Sequence, residues 1–142
     1  MKISEPIPFE EINVQKLPLF SSSVSAGFRS PAEDYIEKKL DLNELLIKHP
    51  SATFFVRVDG NSMINAGINS GDILIVDRAL EPTNNKVVVA VVNGEFTVKR
   101  IKKNKEKIFL FPDNPDYPLI EVTLEMDFSI WGVVSYVIHD PS

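Results

Sequence analysis

The sequence predicts a mostly β fold: a compact domain of several antiparallel strands, preceded by a flexible arm and two short helices. Three observations carry this. From Ser51 onward the apolar residues gather in short runs rich in β-branched side chains, Thr53–Asp59, Ile73–Asp77 and Val87–Val92, without the three-to-four spacing of a helix. Asn93-Gly94 sits between two such runs, and both residues tolerate the positive φ that a tight hairpin demands. No segment of useful helical length follows residue 50.

Along the chain, the first thirty or so residues differ from the rest. They hold Pro6, Pro8 and Pro18, then Ser21-Ser22-Ser23-Val24-Ser25-Ala26-Gly27, a composition that builds neither a packed helix nor a strong strand by itself. This is the expected arm, residues 1–29, a place where proteolysis concentrates. Order is expected to begin at Ser30, giving a second division of residues 30–142. Ser30-Pro31-Ala32-Glu33 offers serine at N-cap, proline at N1 and glutamate at N3, which predicts a helix over residues 31–38. Asp41-Leu42-Asn43-Glu44 repeats the cap pattern and predicts a second short helix, stopped at His49-Pro50, with Leu42, Leu45 and Leu46 on one face.

The strands follow. Thr53–Asp59 leads into a turn at Gly60, and Asn69-Ser70-Gly71-Asp72 launches Ile73–Asp77. Val87–Val92 reads as buried, residues 95–102 return from the Asn93-Gly94 hairpin, residues 103–106 turn, and Lys107–Phe111 follows. Residues 112–118, with three prolines, form a loop; residues 119–123 and Phe128–Ile138 complete the set.

Bulk properties narrow the function classes. The chain of 142 residues is 44% hydrophobic and 25% charged with net charge −5, a globular balance long enough to bury a core. Phosphate binding relies on clustered cations, so an acidic chain is poorly equipped for nucleic acid, and direct DNA binding is not expected. The one basic cluster, residues 99–107, reads as a solvated hairpin. The absence of cysteine excludes disulfides, thiolate metal sites and cysteine nucleophiles. Asp113, Asp116 and Asp127 are too scattered for a metal site, and no metal or other cofactor is expected. With no basic start, no continuous apolar run and no bilayer-length segment, neither a signal peptide nor a membrane association is expected, and the localisation read is cytoplasmic.

Two short segments hold the candidate chemistry, Gly60-Asn61-Ser62-Met63 and Phe96-Thr97-Val98-Lys99-Arg100. A serine hydroxyl is a weak nucleophile until a base takes its proton. His49, at a helix end, and His139, in the tail, lie in no motif that suggests one. A lysine serves if burial keeps its amine neutral. Lys99 follows the hairpin whose partner strand is the most apolar in the chain, so desolvation acts on it. Other readings stand beside this one: Ser62 as the cap of a short helix, and Lys99 on a solvated strand face, although Thr97 and Ile101 share that face. Trp131 and Phe128 read as core or dimer-interface residues.

Ala26-Gly27 in the arm, Gly60-Asn61-Ser62-Met63, Gly71-Asp72-Ile73-Leu74-Ile75-Val76 and Gly94-Glu95-Phe96-Thr97-Val98-Lys99-Arg100 occur together in that order, and the chain that carries them resembles the UmuD-type SOS mutagenesis proteins of the LexA-like self-cleaving serine peptidase family. Asp41-Leu42-Asn43-Glu44-Leu45-Leu46-Ile47 and His49-Pro50-Ser51-Ala52-Thr53 are similar to the UmuD branch in particular, so the likeness spans nearly the whole chain. The resemblance implies a LexA/UmuD-like peptidase domain, Ser62 as nucleophile, Lys99 as general base, backbone N–H groups of Ser62 and Met63 as oxyanion donors, and Ala26-Gly27 as the scissile bond. It further implies a homodimer, stimulation by a RecA filament on single-stranded DNA, and partnership of the trimmed form with a UmuC-like Y-family translesion polymerase subunit. One departure is that the UmuD branch often has cysteine before the scissile glycine, where this chain has Ala26. The alternative from another class is an interaction module that keeps the fold without cleaving; Ala26 is its only support, and intact Ser62 and Lys99 oppose it. A repressor would need a DNA-binding domain ahead of the arm, where about 25 residues stand, and a membrane signal peptidase would need a spanning segment.

Overall fold

A computed structural model describes residues 2–9, 16–20 and 36–142. The chain forms two compact units, one of Met1–Phe9 with Ser51–Ser142 and the other of Glu10–Pro50.

The larger unit is built on one antiparallel sheet. Its strands are β1 (Lys2–Ile3), β2 (Ile7–Pro8), β5 (Thr53–Asp59), β6 (Ile73–Asp77), β7 (Val87–Val92), β8 (Glu95–Asn104), β9 (Lys107–Phe111), β10 (Ile120–Val122) and β11 (Phe128–Ile138); β3 (Lys16–Phe20) and β4 (Ile36–Asp41) belong to the smaller unit. The order across the sheet is β1-β5-β6-β11-β7-β8-β9-β10, with β2 also pairing β5. The seven strands after residue 50 are those the sequence predicts, five of them with the same bounds, because each β-branched run finds a partner ladder that matches its period. The strand β8 runs two residues beyond its predicted end, to Asn104, and the turn to β9 is correspondingly tighter.

The hairpin between β7 and β8 pairs in unbroken register from Val87↔Arg100 to Val92↔Glu95, with Asn93 and Gly94 at φ 50° and 83°. The long β11 serves two neighbours, β7 through its first half and β6 through its second, with irregularities at Ile130/Gly132 and Val134/Tyr136. Gly132 sits at the first of these, and a Cβ there would stand 2.6 Å from Val76 Cγ1, so only glycine lets β6 and β11 approach.

Alternation along the central strands divides the core in two. Val56, Val58, Met63, Leu74, Val76, Val89 and Val98 form one cluster, with Ile3 packed against it; Val88, Ala90, Ile101, Leu110 and Val133 form the other. Through Ile3 the first strand of the sheet reaches the cluster that holds Val98 of β8, although β1 and β8 lie far apart in the strand order. Trp131 meets Phe54 edge-on at 5.0 Å and Phe96 at 5.9 Å, with the Arg78 guanidinium 4.7 Å above its ring, and Phe128 packs against the second cluster.

In the smaller unit β3 and β4 pair antiparallel, and a short helix α1 (Leu42–Leu46) follows. Asp41 caps it as expected, its carboxylate accepting from Asn43 N–H at 2.9 Å. The helix ends at Leu46 with Ile47 as its C-cap, three residues short of His49.

Three sequence expectations are corrected. Residues 36–38 are strand where the helix over 31–38 was expected: pairing with Lys16–Phe20 satisfies their backbone groups and overrides local propensity. Order does not begin at Ser30, since Lys2↔Asp59, Ile3↔Val58, Ile7↔Phe55 and Pro8↔Phe54 tie the chain start to β5. The basic segment 99–107 is not wholly solvated: Lys99 is buried, Arg100 is bound to Asp113, and Lys102 lies 4.5 Å over the Phe111 ring. The serine-rich run and the Ser30-Pro31-Ala32-Glu33 cap lie outside the described residues. Among the described residues no helix is long and apolar enough to cross a membrane.

Candidate functional site

The serine turn begins where β5 ends. Gly60 takes φ 107°, a region closed to most side chains, and its N–H donates to Ser70 Oγ at 3.1 Å while that hydroxyl donates to Asp59 Oδ1 at 2.7 Å. The chain then dives inward, so that Ser62 and Met63 are fully buried, and a 3-10 turn over Ile64–Ala66 closes on Gly67 at φ 79°. The cap position of that turn is Met63, whose side chain makes no capping bond, so Ser62 does not serve as a helix cap.

Its hydroxyl instead meets Lys99. Lys99 Nζ lies 3.2 Å from Ser62 Oγ, 3.1 Å from Thr97 Oγ1 and 3.2 Å from the Val98 carbonyl. The residue is only 6% exposed, which removes the solvated-face reading. All three partners are neutral, and no ion pair of Lys99 exists among the described residues. Burial therefore pushes the amine down from its ordinary value of 10.5, and no carboxylate among the described residues pairs with it to hold the proton on. On β7, Val88 stands directly across from Lys99 and is fully buried, and Ile101, two residues along the same face, is also fully buried. Once deprotonated, the amine keeps two N–H donors, enough for Thr97 Oγ1 and the Val98 carbonyl. Its lone pair is then available to the Ser62 hydroxyl.

Of the residues singled out from sequence, the structure brings Ser62, Met63 and Lys99 together. The Ser62 and Met63 N–H groups donate to no other described residue. Ala26 and Gly27 lie outside the described residues, in the stretch of sequence between β3 and β4. His139 is engaged elsewhere, its Nδ1 2.6 Å from the buried Asp72 carboxylate. Thr97 was placed on the Lys99 face by alternation but given no role; its contact with the amine is the signal that a two-residue spacing on one strand carries.

Residues 18–135 match the peptidase S24-like family. Protein SamA of Salmonella typhimurium is 46% identical over 132 residues, which cover 93% of this chain and 91% of SamA. Protein MucA of Escherichia coli is 41% identical over 124 residues, 87% of this chain and 84% of MucA. The LexA repressor of Acidithiobacillus ferrooxidans is 44% identical over 121 residues, 83% of this chain and 58% of the repressor. The likeness to SamA and MucA thus runs nearly end to end, whereas the repressor extends well beyond the shared part. The chain belongs to the peptidase S24-like family, as a LexA-like protein of the UmuD type among the SOS mutagenesis proteins.

Proposed function

We propose that this chain cuts itself between Ala26 and Gly27 with Ser62 as nucleophile and Lys99 as general base. The observation that supports this reading above all is the 3.2 Å approach of a buried lysine amine to a buried serine hydroxyl. In the proposed reaction the segment 24–28 lies extended across the site, where small residues at 26 and 27 let the carbonyl carbon come within about 3 to 3.5 Å of Ser62 Oγ. Neutral Lys99 takes the hydroxyl proton as Oγ bonds to the Ala26 carbonyl carbon. The carbonyl oxygen becomes an oxyanion facing the Ser62 and Met63 N–H groups. Collapse breaks the C–N bond, and the Lys99 ammonium returns its proton to the Gly27 amine. Water, deprotonated by Lys99 in turn, then releases Ala26 as a carboxylate and restores Ser62.

Two brakes keep the reaction slow in this reading: the segment is rarely docked, and an undocked site open to water leaves Lys99 protonated. A RecA filament acts by binding the docked state better than the undocked one, the only way an activator shifts such an equilibrium. The protein works as a homodimer, and its trimmed form serves as accessory subunit to a Y-family translesion polymerase. Incubating the chain alone across pH 7 to 10 and weighing the products tests the chemistry. The expected result is a cut after Ala26 that quickens with pH and disappears in Ser62→Ala and Lys99→Ala. Silence both alone and with an activated filament would instead favour a non-cleaving module that regulates the polymerase by binding.

A further inference from the structure

Ser62 and Lys99 reach each other from elements that share no ladder, since β6, β11 and β7 separate β5 from β8 in the sheet. A set of polar contacts outside the pair spans that gap. Arg100, the residue after Lys99, donates to Asp113 Oδ2 from Nε at 3.0 Å and from Nη2 at 2.6 Å, while its Nη1 donates to the Asn85 carbonyl at 2.6 Å. Asp113 lies just beyond β9, and its backbone engages the serine turn. The Asn65 N–H donates to the Asp113 carbonyl at 2.8 Å, and the Asp113 N–H donates to Met63 Sδ at 3.3 Å. The next residue, Asn114, donates from Nδ2 to the Asn61 carbonyl at 2.8 Å. These contacts fall on both sides of Ser62, and the carboxylate that anchors them is gripped beside Lys99.

We propose that Arg100, Asp113 and Asn114 are positioning residues for self-cleavage: they form a brace that sets the separation of Ser62 from Lys99. This rests on the roles proposed above for those two residues. The guanidinium suits the task because its planar fork fixes direction as well as distance while it holds Asp113 and the Asn85 carbonyl; a lysine ammonium, a point charge with freely rotating donors, does not fix direction. With side-chain exposures of 29% and 22%, Arg100 and Asp113 are partly withdrawn from the solvent that weakens surface pairs.

The test uses the full chain as wild type, Arg100→Lys, Asp113→Asn, the double variant and the milder Asn114→Ala. Each is followed by intact mass from pH 7 to 10, by thermal melting, and by NMR titration of the 15N-labelled Lys99 amine. Arg100→Lys and Asp113→Asn are each expected to slow cleavage by about tenfold or more, since misplacement of reacting groups by about 1 Å costs that much. The double variant should lose no more than the worse single one, because the two residues act as one unit. The Lys99 titration should move up toward an ordinary lysine as the loosened site admits water. Wild-type rates in the single variants, losses fully explained by a smaller folded fraction, or an unmoved Lys99 titration would overturn the brace. If Arg100→Lys or Asp113→Asn fails to fold, Asn114→Ala decides by the same measures. The amine titration requires no bond to be cut, so a Ser62→Ala chain that still cleaves would sink the proposed nucleophile while leaving the brace to be judged on the titration.

Discussion

The hairpin at Asn93-Gly94 and the turn from Gly60 to Gly67 are both tight and both rely on glycine, yet they lean to different degrees on distant parts of the chain. The hairpin is mainly local: two residues at positive φ join strands whose register closes residue by residue back to Val87↔Arg100, and its one distant tie is a pair of hydrogen bonds between Asn93 and Asp127. The serine turn is held from afar, by Asp113 and Asn114 at sequence separations of 50 and 53 from Met63 and Asn61. Lys99 thus rides on an element whose register closes within itself, whereas Ser62 depends on a distant loop. Perturbations of stability and perturbations of chemistry should therefore separate according to which region they strike.

The largest expected effect is at Lys99. Lys99→Arg keeps a cation but cannot deprotonate near neutrality, so cleavage should fall by about a hundredfold or more, measured by intact mass. The same residue gives a pH dependence of stability. Its folded-state value lies below the ordinary 10.5, so between the two values the unfolded chain binds more protons and stability rises with pH. Below the folded-state value the burden of burying the ammonium is fully present. Lys99→Met should flatten this slope in denaturant titrations run from neutral to alkaline pH; a slope that survives would locate the linkage elsewhere.

Next in size is Gly132→Ala, which leaves both turns alone and strikes the seam between β6 and β11. The added methyl meets the fully buried Val76, so a loss of about 1–3 kcal/mol is expected, read as a lower urea midpoint. Among chains still folded, the pH midpoint of cleavage should not move. A midpoint shift would mean that the scaffold seam, and not only the serine turn, sets the chemistry.

The smallest and sharpest test is a matched pair, Gly60→Ala and Gly94→Ala. Both place a side chain at positive φ, 107° and 83°, at a strain of about 1–3 kcal/mol. Similar stability losses are expected, but only Gly60→Ala should lower the cleavage rate of the folded fraction. Equal effects on rate would erase the distinction between the two regions.

Particular residues show how far the sequence could be read. Val87–Val92, Ile73–Asp77 and Phe128–Ile138 were legible because β-branched runs have one good conformation, and Asn93-Gly94 because few residue pairs accept its backbone. Asp41 was legible as a cap for a similarly local reason. Residues 36–38 were not, since their strand form exists only through the partner at Lys16–Phe20. At the site, the residue types of Ser62 and Lys99 pointed to the chemistry, and the family likeness named them as a pair. Alternation placed Thr97 on the Lys99 face, but that Arg100, Asp113 and Asn114 bridge the two elements could not be read in advance, because each of those contacts joins an ordinary polar residue to a partner chosen by the path of the chain. The sequence by itself determined the strands, the hairpin and the chemical identity of the candidate dyad, all of which follow from local conformational preference and side-chain type. Only the tertiary structure decided that Ser62 is buried, that Lys99 loses its water, and that the two stand 3.2 Å apart, because burial and distance are properties of packing between elements remote in the chain.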